Sequence, residues 1–180
     1  MRRWVSLLLL FVLGAASVGF VAPPAVAGPR GHTRTAIAGA WEGSPPVFPT
    51  SIDPDTGKFT VVGHAVWSGD WVGVSIFHMK GTINLATGDY VATAETEFQG
   101  TWLDGDNNSR GALKWREKMR GNFITGVFVG TFDILEGSGD PAFGCSSGHF
   151  TWAGYAGPAA SYGGYQGTWI HGCPLRGRRR

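Results

Sequence analysis

The chain has 180 residues, with 15 Lys and Arg against 13 Asp and Glu and 43% hydrophobic residues, which is enough for one domain with a substantial core. Its formal charge of +2 equals the contribution of Arg2 and Arg3, and four more cations, Arg176, Arg178, Arg179 and Arg180, form a terminal tail, so the body is acidic. A nucleic-acid partner would need a basic face across the domain with aromatic residues along it, and this composition excludes one.

Residues 1–27 read as a signal peptide. Arg2 and Arg3 give a positive start, 5–21 is an apolar run, and Ala25-Val26-Ala27 has the small-x-small form of a cleavage site. The run is short for a span of about 20 residues, so secretion without stable membrane insertion is expected, against the alternative of a retained anchor. Residues 28–56, rich in Gly, Pro and Thr, read as an irregular lead-in with a short strand around 36–42. Asp53-Pro54-Asp55-Thr56-Gly57 is a turn, 58–67 a strand, Ser68-Gly69-Asp70 a second turn and 71–83 a second strand. On that strand Trp71, Gly73, Ser75, Phe77, Met79 and Gly81 alternate with Val72, Val74, Ile76, His78 and Lys80. Both sets are partly apolar. Either a second copy or the N-terminal segment covers the outer set, or the inner face is the other one.

Residues 89–135 form a three-stranded meander around which the rest is organised. Ala92, Ala94, Thr96, Phe98, Gly100 and Trp102 share an inward face, as do Leu113, Trp115, Glu117 and Met119 on the second strand. Outward, the first strand is acidic at Glu95 and Glu97 and the second basic at Lys114, Arg116 and Lys118. Pairing Trp102 with Gly111 sets Glu97 against Arg116 and Glu95 against Lys118, and places Phe98 by Trp115 and Thr96 by Glu117. Arg120-Gly121-Asn122 supplies the next turn, and the third strand carries Ile124, Gly126, Phe128, Gly130, Phe132 and Ile134 on one face.

A glycine-rich passage, 136–140, precedes a strand at 148–154, a loop at 157–164 and a closing strand at 165–171. Seven or eight strands without helical periodicity predict an all-β fold: a closed or nearly closed antiparallel up-and-down barrel of about eight strands over 57–173, followed by a basic tail at 174–180. A small repeat recurs at Gly81-Thr82, Gly100-Thr101, Gly130-Thr131 and Gly167-Thr168. It marks equivalent positions where glycine permits a bend beside a large residue.

Cys145 and Cys173 are the only cysteines, and an exported compartment is oxidising, so a structural disulfide is expected between them. Gly144-Cys145-Ser146-Ser147-Gly148 spells a hydrolase nucleophile elbow but lacks the helix that motif needs. Asp104, Asp106 and Asn108 begin like a calcium loop, yet Ser109 and Trp115 occupy the positions of its turn glycine and bidentate Glu. His32, His64, His78, His149 and His171 show no paired ligand spacing, so neither a metal nor a cofactor is expected.

Glu117 is the odd member of an apolar inner set. Burial beside Thr96 and among Phe98, Trp115 and Phe128 would raise its pKa and make it a proton donor or a ligand anchor; the alternative is a Glu near the barrel mouth satisfied by Thr96 or backbone. Thr96, Phe98, Trp115, Glu117, Phe128 and Trp71 are therefore the candidate ligand-binding residues, with Glu117 the one catalytic candidate. His64 also could face inward, a packed or surface position being its other reading.

Thr96-Glu97-Phe98-Gln99-Gly100-Thr101, Gly111-Ala112-Leu113, the run Ile134-Leu135-Glu136-Gly137-Ser138-Gly139-Asp140, Gly148-His149-Phe150 and Tyr165-Gln166-Gly167-Thr168-Trp169 together resemble the allene oxide cyclase barrel superfamily, including its small bacterial members and, more distantly, dirigent proteins. The resemblance implies an eight-stranded antiparallel barrel, often oligomeric, with an apolar cavity in which relatives guide cyclisation or coupling. It carries over no catalytic residue. Three functions follow as expectations: a secreted barrel binding a small apolar molecule, a cyclase-like enzyme using Glu117, and a structural or cell-surface interaction module with a filled core.

Overall fold

The computed structural model describes residues 26–27, 32–43, 51–104, 108–157 and 161–172. All regular structure in them is β: β1 (Val26–Ala27), β2 (Thr33–Gly43), β3 (Ser51–Ile52), β4 (Lys58–Gly69), β5 (Trp71–Ile83), β6 (Asp89–Trp102), β7 (Ser109–Asn122), β8 (Val127–Gly139), β9 (Ser147–Ala156) and β10 (Ser161–His171). Strands β4 to β10 pair in sequence order, β10 pairs with β2, and β2 pairs with β4. The result is a closed antiparallel eight-stranded barrel, flanked by the two-residue strands β1 and β3.

Closure comes from the segment read as an irregular lead-in. Over Thr33–Gly43 that reading is corrected: β2 is a full barrel stave, running from Thr33 opposite His171 to Gly43 opposite Ser161 and Ala65. Its inward positions include Ile37, Gly39 and Trp41, while the others are mostly Ala, Thr and Gly. The period of two is nearly silent because small residues sit on both faces. The loop read at 157–164 is also shorter, since β10 begins at Ser161.

The inward faces of β6 and β7 are as expected, but their register differs by two residues. Trp102 pairs with Ser109, Glu97 with Lys114, Glu95 with Arg116, Thr96 with Trp115 and Phe98 with Leu113. Lys114 reaches Glu97 at 3.1 Å and Glu136 at 3.5 Å, and Arg116 reaches Glu95 at 3.2 Å. A shift of two residues keeps every side chain on its face and every charge opposite its complement, so alternation alone does not select between the two registers. The turn after β7 is also later than expected. Residues 123–126 form it, and Ile124, assigned to the inner face, is 75% exposed at its tip. Asn122 decides this, because its Oδ1 accepts the N–H groups of Ile124 and Thr125 at 2.8 and 3.0 Å and nucleates the turn.

The β5 ambiguity resolves in favour of the Trp71 face. Trp71, Ser75 and Met79 are buried, while Val72, Val74 and Ile76 are 42–56% exposed. His64 points outward and is exposed. Glycines of the Gly-Thr repeat lie on the inner side against rings: a Cβ at Gly81 would strike Phe59, and one at Gly130 would strike the Trp152 indole nitrogen.

Candidate functional site

Aromatic residues fill the barrel in two tiers. In the half towards the 69–70 and 140–146 connections, Trp71 stacks on Trp115 at 6.4 Å and on Tyr165 at 5.8 Å, and packs against Phe98, Phe150 and Trp169. Trp67 stands edge-on to Trp115 at 5.2 Å and to Tyr165 at 4.8 Å. In the other half, Trp41, Phe128 and Trp152 form a cluster with centroids 5.0–5.6 Å apart. Aromatic pairs in tilted and edge-on geometry add about 0.5–1.5 kcal/mol each beyond the area they bury.

Glu117 lies between these tiers. It is 5% exposed, and its Oε1 accepts two hydrogen bonds, from the Thr96 hydroxyl at 2.7 Å and from the Trp115 indole N–H at 2.6 Å. Burial raises its pKa above the ordinary carboxylate value, opposed by those two bonds, which favour the anion. Because Oε1 takes both donors, the proton of the neutral acid belongs on Oε2. The neighbouring polar pair is independent of Glu117: Trp67 Nε1 donates to Ser75 Oγ at 2.8 Å.

Beside Glu117 is a cavity of about 50 Å³, lined among others by Trp41, Trp67, Ser75, Thr96, Glu117 and Phe128. Of the six expected ligand-binding residues, Thr96, Glu117 and Phe128 border it, whereas Trp71, Phe98 and Trp115 lie in the packed tier and do not. All six are at most 5% exposed. Sequence reasoning missed Trp41, Ser75 and Trp67 as cavity residues. Trp41 was hidden in the lead-in; the inward alternation of β4 and β5 was the available signal for the other two. Trp41 Nε1 and Trp152 Nε1 are buried without a hydrogen-bond partner.

Ser146 is an anchor. It is 7% exposed, its hydroxyl donates to the Phe143 carbonyl at 2.6 Å, and it accepts from Trp169 Nε1 at 3.1 Å. Cys145 is exposed with φ 54°, and Cys173 lies outside the described residues, as do 1–25 and the tail. Among the described residues no cluster of three His, Cys, Asp or Glu could hold a metal, and no helix is long and apolar enough to cross a membrane. No protein-family profile matches the chain, and no curated protein sequence matches it.

Proposed function

We propose that this protein is a secreted, non-enzymatic barrel module of the allene oxide cyclase-like kind, whose interior is a structural core and whose outer surface makes its functional contacts. The observation that carries this reading is the interior cavity of about 50 Å³. A benzene-sized apolar ligand occupies a cavity of about 150 Å³, so a larger one would have to displace Phe128 or Trp41. Glu117 gives one carboxyl oxygen to two protein donors, and the cavity it borders is too small to hold a benzene-sized substrate beside it. Export by the N-terminal signal and a Cys145–Cys173 disulfide belong to the same proposal. Cleavage after Ala27 would remove only β1 from the described sheet and leave the β2–β4 closure whole.

The outer surface offers exposed apolar side chains for contact, Val62, Val66, Val72, Val74 and Ile76 on β4 and β5, where a second copy could pack. A second reading, a small acceptor-bearing molecule beside Glu117, is favoured by the unpartnered indole N–H groups of Trp41 and Trp152, which border the cavity.

Native mass spectrometry of the exported protein tests both. The expected spectrum has a chain beginning at Gly28, two hydrogens lighter than the dithiol form, and no retained molecule; tryptophan fluorescence stays unmoved by a panel of apolar ligands. A reproducible adduct lost on Trp41→Phe or Trp152→Phe replacement would overturn the filled-core reading and establish the second.

A further inference from the structure

The outward side chains of β7 include four exposed cations in a row, Lys114, Arg116, Lys118 and Arg120. Strand register divides them into pairs with opposite surroundings. Lys114 lies between Glu97 and Glu136, and Arg116 between Glu95 and Asp133. Lys118 instead lies between Thr93 and Thr131, and Arg120 between Val91 and Val129. Lys80 flanks Thr93 from the other side, in the same row as Lys118. Among the described residues, Lys80, Lys118 and Arg120 make no salt bridge. The outer groove that crosses these strands is lined by all three cations and, among the described residues, by no carboxylate.

One half of this outer face therefore neutralises itself, while the other half carries uncompensated positive charge on an acidic body. The row continues from Thr131 to Thr151 and Gln166, which face one another in register. It presents hydroxyl and amide groups at each strand and no aromatic side chain.

We infer that this belt binds an acidic polysaccharide, a polyuronate chain whose carboxylates meet Lys80, Lys118 and Arg120 and whose hydroxyls meet Thr93, Thr131, Thr151 and Gln166. Lys80 and Lys118 are two inter-strand steps apart, roughly 9.6 Å, and Lys118 and Arg120 are two residues apart along a strand, roughly 6.7 Å. Separated point charges of this kind suit carboxylates repeated along a chain. The row of Lys80, Thr93, Lys118, Thr131, Thr151 and Gln166 holds no aromatic side chain, and the exposed Tyr162 lies two outward positions along β10 from Gln166, which argues against single-stranded nucleic acid, whose non-specific binders stack bases on rings along the charged track. Neutral Thr and Gln between the cations suit a partner rich in hydroxyls. The inference rests on the outer-surface reading of function and supplies its ligand class.

The test is titration of the full-length exported protein with a galacturonate oligosaccharide at several salt concentrations. A neutral oligosaccharide of equal length, anionic phospholipid vesicles and single-stranded DNA serve as separate arms. Two variants divide the cations: Lys80→Thr with Lys118→Thr and Arg120→Thr, and Lys114→Thr with Arg116→Thr. Threonine is a good strand former at exposed positions, so both variants keep the barrel. Binding of the galacturonate chain is expected to weaken with salt at a log–log slope of about −2 for three charges. The belt variant should lose at least about tenfold in affinity and the paired-cation variant less than about threefold. Three results would overturn the inference: no binding at low salt, undiminished binding by the belt variant, or tighter belt-dependent binding of vesicles or DNA. A retained interior molecule in the native spectrum would sink the filled-core reading alone and leave this titration unaffected.

Discussion

Glu117 shows how one residue's chemistry follows from its neighbours rather than from its type. Burial raises its pKa, so the neutral form contributes stability that is fully present below the ordinary glutamate value and is lost as pH rises through the raised folded value. Glu117→Gln keeps an oxygen for Thr96 and Trp115 without the ionisable proton. It should match the parent in chemical denaturation at pH 4 and exceed it in mildly alkaline buffer; an equal difference at both pH values would refute the raised pKa. Glu117→Leu would strand the Thr96 hydroxyl and the Trp115 N–H, at a cost of about 1–3 kcal/mol for each donor left unpaired. His171 titrates with the opposite sign. It is 6% exposed, stacks on Trp169 at 4.3 Å and bonds the Thr35 hydroxyl at 2.9 Å, and burial lowers its pKa. Its stability contribution is present above the ordinary histidine value and is lost as pH falls through the lowered one. Amide protection at the paired ends of β2 and β10, taken relative to the intrinsic exchange rate at each pH, should therefore fall in acid, and His171→Phe, which keeps the ring without the charge, should abolish that loss of protection.

At the scale of elements, two short motifs recur at opposite ends of the barrel. Asp53, Asn84 and Asn122 each begin an Asp/Asn-x-x-Thr-Gly turn, and in each the first side chain accepts two backbone N–H groups while the glycine closes onto the first carbonyl at 2.8 Å. Gly57, Gly88 and Gly126 have φ of 66°, 77° and 73°, which a side chain rarely adopts. Each of these glycine carbonyls also accepts an N–H from beyond its own turn, from Ile83, Phe123 and Ala156 respectively, so the turns are linked around the rim. At the other end Ser68-Gly69-Asp70 and Ser138-Gly139-Asp140 repeat another device. Asp70 Oδ2 accepts the Ala38 N–H and Asp140 Oδ2 the Arg110 N–H, both at 2.7 Å. Gly126→Ala should cost about 1–2 kcal/mol from the left-handed backbone, with more from its approach to Tyr155. Asn122→Ala removes the acceptor for two N–H groups and the Nδ2 donor to the Thr87 carbonyl and Asp89 Oδ1, all at an exposed turn where water replaces the lost partners, so it should cost about 1 kcal/mol. Urea denaturation would rank them, and an Asn122→Ala loss larger than that of Gly126→Ala would contradict this account.

For the whole molecule, the interior is aromatic and packed, while the outward face is divided: at mid-strand β6 and β7 carry Glu95, Glu97, Lys114 and Arg116, and β4 and β5 carry Val62, Val66, Val72, Val74 and Ile76. Closure through β2 ties the first described long strand to the last. Its inward side chains, Ile37 and Trp41, complete the core at the seam.

The sequence by itself determined the all-β class, the inward sets of β6 and β7 and most of the inward set of β8, because these rest on a strict period of two with large residues marking one face. Which face of β5 turns inward and whether Glu117 is buried were left open by apolar residues on both faces of β5 and by a barrel-mouth alternative for the carboxyl. Tertiary structure decided the rest. The β6–β7 register could shift by two residues without changing any face or any charge complement, and the observed pairing also brings Lys114 to Glu136 on a third strand. The role of β2 as the closing stave depended on pairing both with β4 and with β10, the latter more than a hundred residues away, and its Ala and Gly positions hid its alternation. Whether the interior is open was not legible either, since the same aromatic residues can line a cavity or fill it. Only the three-dimensional packing of Trp41, Phe128 and Trp152 fixes that volume.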